Sequence, residues 1–233
     1  MKIALFGVTS IKLGKHNLKD SRFDQADKLV EADKKTYAQV DVIGDDQLLE
    51  ADAILASVET RADLILKDLE FVETRLGRDP QPAERASLEK IKALLENEKF
   101  VFNSDLNPDD LQAVAAHSFY TNKPITVAAP GEEQDPEKLM VRTFAASGHI
   151  CFLTVGGKEN RAWPIRKGIS AWEAAGTIHS DIQKGFIRAE VIKIPDYQKY
   201  KTENAIKEAG KLAVEGKEYT VEDGDVMHFR FNV

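Results

Sequence analysis

Short apolar segments in the N-terminal half of the chain predict a sheet. Four runs rich in Ile, Val, Leu and Ala lie at 2–8, 37–44, 53–58 and 124–129. Three of them are continuous rather than alternating, which is typical of parallel strands buried on both faces. We therefore expect a four-stranded parallel sheet.

A helical pattern at 59–118 interrupts this sheet. Apolar residues recur there at helical spacing on both sides of a Pro-bearing break at 79–82. This predicts two antiparallel helices joined by a short turn, which form a helical hairpin. Asn107 and Pro108 then supply a cap and a first-turn proline for a further helix.

The pattern changes after a linker at 130–136 that contains Pro and Gly. Beyond this linker we expect a small α+β unit. Its expected parts are a hairpin of Ile150–Val155 with Asn160–Ile165, a helix capped by Ser170 and ended by Gly176, a strand at 186–194, and a terminal hairpin of 219–221 with 226–233. Residues 9–20, which are polar and basic, are expected to form a loop.

The composition is that of a globular protein. Hydrophobic residues make up 42% of the 233 residues, and no apolar run is long enough to span a membrane. The single cysteine, Cys151, excludes a disulfide within the chain and a site built from several thiolates. The first residues lack the features of a signal peptide, so we expect a cytoplasmic protein without a membrane partner.

The net charge of −7 is unevenly distributed along the chain. Residues 1–148 carry a net charge of −8, whereas residues 149–233 carry +1. This acidic excess argues against nonspecific coating of nucleic acid by the whole chain. It leaves room for a local basic surface on the C-terminal part.

Four segments in the C-terminal part resemble one family. They are Phe152–Trp163 (FLTVGGKENRAW), Ala174–Asp181 (AAGTIHSD), Lys184–Val191 (KGFIRAEV) and Asp223–Val233 (DGDVMHFRFNV). Together they are similar to the C-terminal region of the YchF family, the Obg-like ATPases. This resemblance implies a TGS domain, which is a ubiquitin-like β-grasp unit associated with RNA or the ribosome.

A weaker resemblance extends upstream. The helices at 59–118 resemble the helical, coiled-coil insert of the family, and Val40–Gly44 resembles its strand that ends in Asp-x-x-Gly. The implied fold is α/β plus α+β, and the GTPase-type strand order places 38–43 beside 2–6, then 53–58, then 124–129. The expected domains are a reduced Rossmann-like, P-loop-type domain (1–58 and 119–147), the inserted hairpin (59–118) and a TGS-like β-grasp domain (148–233).

The loop after the first strand departs from a phosphate-binding loop. That motif needs Gly-x-x-x-x-Gly-Lys-Ser/Thr, so that backbone N–H groups surround the phosphates and a hydroxyl ligates Mg²⁺. Here six residues separate Gly7 from Gly14, and His16 follows Lys15 where the hydroxyl belongs. Because His is a poor ligand for Mg²⁺, an ordinary loop is favoured over a nucleotide cradle.

Two further positions of the family's nucleotide site are altered or ambiguous. Asp41 and Gly44 fit Asp-x-x-Gly and are degenerate candidates for a Mg²⁺ site, but an Asp in a strand before a Gly turn is also common. The base-recognition motif Asn-x-x-Glu aligns on Pro130 to Glu133, where only Glu133 matches. The Pro130 side chain can neither donate nor accept a hydrogen bond at a base edge.

These departures favour a protein without nucleotide hydrolysis. We expect a non-catalytic TGS-domain protein related to the YchF family, an adaptor without a cofactor. The alternative is an NTPase of this family with a remodelled phosphate loop, which would bind ATP or GTP with Mg²⁺.

Other chemistry finds little support in the sequence. The five histidines lack metal-ligand spacing, and we expect no metal site. Alternation along a strand puts His149 and Cys151 on one face, which makes them a candidate Cys–His pair. A buried core cysteine is the favoured alternative.

The C-terminal part carries basic residues interleaved with the aromatic residues Trp163 and Phe186. This mixture suits phosphate contacts combined with base stacking, although the aromatic rings are also candidates for the core. RNA or the ribosome and a protein partner therefore both remain candidate ligands. The candidate contact residues are Lys158, Arg161, Arg166, Lys167, His179, Lys184 and Arg188.

Overall fold

The computed structural model describes residues 1–30 and 32–232, except for the side chain of Glu133. It has an α/β architecture with parallel and antiparallel strands. The strands are β1 (Lys2–Phe6), β2 (Gly14–Leu18), β3 (Lys34–Thr36), β4 (Ala38–Ile43), β5 (Ala53–Ser57), β6 (Ile125–Ala128), β7 (His149–Thr154), β8 (Glu159–Arg166), β9 (Phe186–Ile192), β10 (Ala213–Glu215) and β11 (Val226–Phe231). The helices are α1 (Ser21–Leu29), α2 (Arg61–Leu76), α3 (Pro82–Glu96), α4 (Pro108–Ala113), α5 (Pro136–Ala146), α6 (Ala171–Ile178), α7 (Ser180–Lys184), α8 (Ile194–Tyr200) and α9 (Glu203–Glu208).

The chain divides into two compact units. The first contains Met1–His16 and Val40–Ser147, and the second contains Asn17–Gln39 and Gly148–Val233. This division differs from the expected boundaries, which placed all of 1–58 in the N-terminal domain. Residues 17–39 instead pack with the C-terminal segment.

The first unit is built on a sheet with the order β2-β4-β1-β5-β6. The pairs β4–β1, β1–β5 and β5–β6 are all parallel, so the predicted order of the four parallel strands is confirmed. Every residue of β5 is buried, as its continuous apolar sequence predicts. This arrangement brings the carboxyl ends of β1, β5 and β6 to one edge of the sheet.

The prediction of a loop at 9–20 is wrong for the residues of β2. Gly14–Leu18 forms a strand next to β4 at the edge of the first sheet. Only Leu18 of this strand is fully buried, so the segment has the polar composition of a loop. Its strand conformation comes from pairing with β4 rather than from an apolar pattern.

The predicted helical hairpin is confirmed by α2 and α3. Ion pairs of Arg75 with Glu84 and of Arg61 with Glu98 show that the two helices run antiparallel. Leu88 and Ile91 belong to a separate apolar core that α2, α3 and the segment around α4 share. The insert thus has a core of its own.

The second unit contains a six-stranded sheet with the order β10-β9-β11-β7-β8-β3. The β7–β8 hairpin is confirmed, with Phe152 opposite Trp163. Ser170 caps α6, as predicted, and the structure adds a capping box with Glu173. Phe152, Ile165, Val191 and Met227 pack against α6 in the core of this unit.

Two predicted details of the second unit are wrong. Gly176 does not end α6, which continues to Ile178. A Cβ at Gly176 would lie 2.7 Å from the side chain of Gln183, so this glycine allows close packing of α7. Among the residues that the structure describes, β11 pairs with β9 on one side and β7 on the other rather than in the expected terminal hairpin, and an isolated bridge joins Ser170 to Thr220.

Candidate functional site

The carboxyl ends of β1, β5 and β6 border a cleft in the first unit. Its volume is about 540 Å³, and most of its described lining residues are Gly, Ala or Pro. Clefts at this edge of a parallel sheet are frequent ligand sites in α/β folds. The lining residues are Gly7, Val58, Glu59, Ala128, Ala129, Pro130, Gly131 and Gln134.

Gly7 is the predicted nucleotide-site residue that lines this cleft. It has a left-handed backbone with φ of +72°, and a Cβ there would overlap the side chain of Thr60. The Thr60 hydroxyl donates to the carbonyl of Phe6 at 2.9 Å. The fold therefore requires glycine at position 7 even without a ligand. Sequence reasoning missed Thr60, which occupies the space beside Gly7.

Gly14 and Lys15 come directly after the loop that follows β1. Both lie in β2, so a strand follows the 7–14 loop where a phosphate-binding loop needs the N-terminus of a helix. Val8 and Ile11 anchor the loop by burial. The His16 ring Nε2 donates to the carbonyl of Lys12 at 2.6 Å, which folds the end of the loop back on itself.

Asp41 and the cleft lie at different positions along the strand direction of the sheet. Asp41 is level with Lys2 in the β1–β4 register, whereas Gly7 follows the other end of β1. At the rise of a strand, this separates Asp41 from Gly7 by about 16 Å along β1. Gly44 follows β4 at the carboxyl edge without lining the cleft.

A salt bridge that the sequence did not reveal fixes the loop after β6. Glu132 accepts from the backbone N–H of Ala129 at 2.8 Å and pairs with Arg142 at 2.8 Å. Arg142 also donates to the carbonyl of Val127 at 2.7 Å. The predicted Glu133 side chain lies outside the described part of the chain.

The electrostatics of the cleft do not favour a triphosphate. Among its described lining residues, Glu59 is charged and no Lys or Arg is present. The nearby cation Arg142 is already neutralised by Glu132. A nucleotide would have to bring its own compensating cation to this edge.

Cys151 is a buried core residue rather than a nucleophile, as favoured from the sequence. It is 8% exposed, and burial, helped by the negative charge of Asp223, raises the pKa of its thiol to about 12. A thiol held neutral in this way is unreactive. Within residues 1–30 and 32–232, no cluster of His, Cys, Asp and Glu is suited to hold a metal ion. In the same residues, no helix combines the length and apolar character needed to cross a bilayer.

The predicted basic contact residues do not share one surface of the second unit. Arg161 follows the alternation of Trp163 and Ile165, which face the core side of the sheet. Arg188 precedes the core residue Ala189 and so faces the opposite side, where it lies 3.5 Å from Glu190. The remaining members are placed at the β7–β8 turn (Lys158), at and after the end of β8 (Arg166 and Lys167), between α6 and α7 (His179) and at the end of α7 (Lys184).

Arg161 and Trp163 form the most organised part of this basic set. The Arg161 guanidinium carbon lies 4.1 Å from the centroid of the Trp163 ring. The Trp163 ring is nearly parallel to Phe152, with centroids 6.2 Å apart. Phe186, the other aromatic candidate, is buried in the core.

Comparisons with known proteins point to one family. A family model named YchF-GTPase_C, whose description is "Protein of unknown function (DUF933)", matches residues 149–232. The chain is 34% identical to "Ribosome-binding ATPase YchF" of Pasteurella multocida over 73% of this chain and 64% of that protein. It is 50% identical to human "Obg-like ATPase 1" over 41% of this chain and 24% of that protein.

This chain spans less than two thirds of the length of the Pasteurella relative. A solved structure described as the Schizosaccharomyces pombe YchF GTPase matches with a TM-score of 0.78 and 21% identity, over 99% of this chain and 97% of that chain. This likeness shows the fold. The names of the relatives favour the expected alternative, an NTPase, over a non-catalytic adaptor.

Proposed function

The chain belongs to the YchF family of Obg-like ATPases, and from this premise we propose that it is a ribosome-associated member without nucleotide hydrolysis. The proposed lack of nucleotide hydrolysis rests on the position of Gly14 and Lys15 in β2. Phosphoryl transfer depends on N–H groups, a lysine and Mg²⁺ placed around the phosphates. A strand at this position offers no such arrangement.

The proposal assigns a role to each unit. The first unit is a reduced GTPase-type domain whose helical, coiled-coil insert is α2 to α4. The second unit is a TGS-like β-grasp domain that contacts the ribosome. The charge distribution supports this choice, since the residues of the second unit (17–39 and 148–233) carry a net charge of +1 and those of the first unit carry −8. Ribosomal RNA attracts basic surfaces and repels acidic ones.

A second candidate function is nucleotide binding at the cleft between the ends of β1, β5 and β6. Two observations favour it: the relatives are named ATPases, and the cleft lies at the edge where α/β folds bind ligands. Under this alternative, ATP or GTP would enter with Mg²⁺. Gln134 and the backbone of the 129–131 loop would then contact the base.

Two measurements on the full chain test the proposal. Cosedimentation with purified ribosomes is expected, and it should weaken as salt rises because phosphate contacts release counterions. Calorimetry with Mg²⁺ and ATP or GTP should show neither micromolar binding nor turnover. No cosedimentation at low salt contradicts the ribosomal role, and micromolar Mg²⁺-dependent binding establishes the second candidate instead.

The variant Lys15→Ala separates two kinds of nucleotide site. If a nucleotide binds through a cradle at the 7–16 loop, loss of the lysine charge should strongly lower the affinity for that nucleotide. If it binds only in the cleft, Lys15→Ala should leave its affinity unchanged. Lys12→Ala, an exposed lysine in the same loop, is the matched control.

A further inference from the structure

Phe152, Trp163 and Arg161 form a series that leads from the core of the second unit to its surface. Phe152 is fully buried, Trp163 is partly buried, and the Arg161 side chain is 40% exposed. Each member contacts the next, first ring on ring and then guanidinium on ring. A rigid core residue thus supports an exposed planar cation.

The Trp163 indole, over which the Arg161 guanidinium lies, is held in one orientation. Its Nε1 donates to the Thr154 hydroxyl at 3.0 Å across the β7–β8 hairpin. The nearest described carboxylate oxygen of Glu159 is 3.9 Å from the Arg161 guanidinium, which is longer than a hydrogen bond. Stacking on Trp163 therefore positions the guanidinium, and its planar surface remains partly exposed.

The surroundings of this stack carry an excess of positive charge. Glu159 is flanked by Arg161 and by Lys34, whose Nζ lies 3.0 Å from its carboxylate. Lys158 is exposed and precedes Glu159 in the β7–β8 turn. Two cations beside one carboxylate, with a further exposed lysine in the adjoining turn, suit a polyanion with closely spaced phosphates.

We propose that Arg161, supported by Trp163, is a stacking platform for an unpaired RNA base, with Lys34 and Lys158 contacting the flanking phosphates. The proposal rests on the proposed ribosome association and specifies the chemistry of that contact. Proteins stack unpaired bases on aromatic rings and on guanidinium planes, whereas a duplex keeps its bases paired inside. The platform therefore selects single-stranded over double-stranded RNA.

The intrinsic fluorescence of Trp163 locates the contact. The chain has two tryptophans, so Trp172→Phe leaves Trp163 as the only indole. A single-stranded RNA 12-mer should quench this fluorescence with the same midpoint as the anisotropy of the labelled RNA. A duplex of the same sequence should bind about tenfold more weakly, by the loss of base stacking. Equal binding of the duplex, or RNA binding without quenching, overturns the platform.

Three variants separate stacking from charge. Arg161→Ala should weaken binding of the 12-mer by about tenfold, the order expected for one stacked base. Arg161→Lys keeps the charge without the plane and should retain the salt dependence while losing most of the affinity. Arg188→Ala is the control, because this half-exposed arginine also lies near a Glu but faces the opposite side of the sheet. Arg188→Ala should lower the affinity for the 12-mer much less than Arg161→Ala does. An equal loss in both variants would mean that Arg161 contributes through its charge and not by stacking.

Cosedimentation of Arg161→Ala with ribosomes tells the two proposals apart. Reduced cosedimentation together with weaker 12-mer binding supports both. Normal cosedimentation with weak 12-mer binding overturns this platform as the ribosomal contact and leaves the ribosomal role intact. Cosedimentation that is absent in the unmodified chain, with the 12-mer still bound, overturns the ribosomal role alone.

Discussion

Asn160 in β8 donates its side-chain N–H to the carboxylate of Asp27 in α1 at 2.9 Å, although 133 residues separate them along the chain. The same amide nitrogen donates to the carbonyl of Val30 at 2.7 Å, and the amide oxygen accepts from the N–H of Gly156 at 3.0 Å. Asn160 is fully buried. One side chain therefore fastens α1 to the β7–β8 hairpin within the second unit.

Replacement of Asn160 should destabilise the protein. Asn160→Ala leaves the Gly156 N–H and the Val30 carbonyl without this partner, and an unsatisfied buried polar group costs about 1–3 kcal/mol. Asn160→Asp should cost at least as much, because it places a second carboxylate beside Asp27. Urea unfolding measures the loss of free energy. Asn17→Ala, which removes an exposed hydrogen bond to Gln39, should stay within about 0.5 kcal/mol of the unmodified chain. An unchanged stability of Asn160→Ala contradicts this role.

Asp68 makes a comparable link in the first unit, between α2 and the turn before β6. Its carboxylate accepts from the N–H of Tyr120 at 3.0 Å and from the N–H and hydroxyl of Thr121, both at 2.7 Å. Burial raises the pKa of this carboxyl, and the hydrogen bonds from Thr121 and Tyr120 oppose that shift.

Asp68→Ala should lower the free energy of unfolding by about 1–3 kcal/mol, because it removes the acceptor for buried N–H groups. Asp68→Asn should also be destabilising, since an amide replaces one acceptor oxygen with a donor that faces other donors. Equilibrium unfolding followed by circular dichroism checks both. Glu70→Gln, at an exposed position of the same helix, is the control. Wild-type stability in Asp68→Asn shows that the amide finds new partners.

Gly185 is expected to tolerate no side chain. A Cβ at this position would overlap the backbone carbonyl of Asn232, whose own N–H donates to the Gly185 carbonyl at 2.9 Å. Gly185→Ala should therefore cost about 1–3 kcal/mol or more, since backbone has to move. In Gly157→Ala the new methyl group meets open space. Thermal unfolding should shift strongly for the first variant and little for the second, and equal shifts would contradict the close approach.

The parts of the fold that could be predicted are those with a local apolar signal. β1 and β5 are continuous buried runs, and their parallel pairing follows from that burial together with the family resemblance. The β7–β8 hairpin was predictable because two apolar strands flank a short Gly turn. In these elements the chain's own pattern and its tertiary contacts agree.

The elements that could not be predicted depend on distant partners. β3 is only Lys34–Thr36, without an apolar residue, and it is a strand because it pairs in parallel with β8 from Glu159 to Arg161. No window of sequence around Lys35 contains that information. The assignment of 17–39 to the second unit was missed for the same reason.

The candidate site shows the same limit. The residue types around Arg161 pointed to an anionic partner, but only the strand register shows that Arg161 and Arg188 face opposite sides of the sheet. Likewise, spacing indicated a defective loop after Gly7, but only the structure shows that a strand replaces the helix. A shift of one residue in register exchanges the faces of a strand, so sequence alone cannot group its side chains.

The ion pair between Glu84 and Arg75 predicts how stability depends on pH. Arg75 donates two hydrogen bonds to Glu84, at 2.6 and 2.9 Å, and His117 Nε2 lies 2.8 Å from the same carboxylate. These contacts, Arg75 first and His117 second, lower the pKa of Glu84 to about 2. A carboxyl whose pKa is lower in the folded state stabilises that state at pH values above its ordinary pKa of 4.5.

This stabilisation should disappear as the pH falls from about 4.5 through about 2, because Glu84 is then protonated in both states. Glu84→Gln imitates the protonated side chain, so its deficit in unfolding free energy should be full at pH 7, smaller at pH 3 and nearly absent at pH 2. Urea unfolding at these three values measures the deficit, and acidic groups shared by both proteins cancel in the difference. Glu89→Gln, at an exposed position of the same helix, should show little deficit at any pH. A Glu84→Gln deficit that stays constant from pH 7 to pH 2 would mean that the carboxylate charge does not contribute, and that the shape of the side chain alone holds α2 against α3.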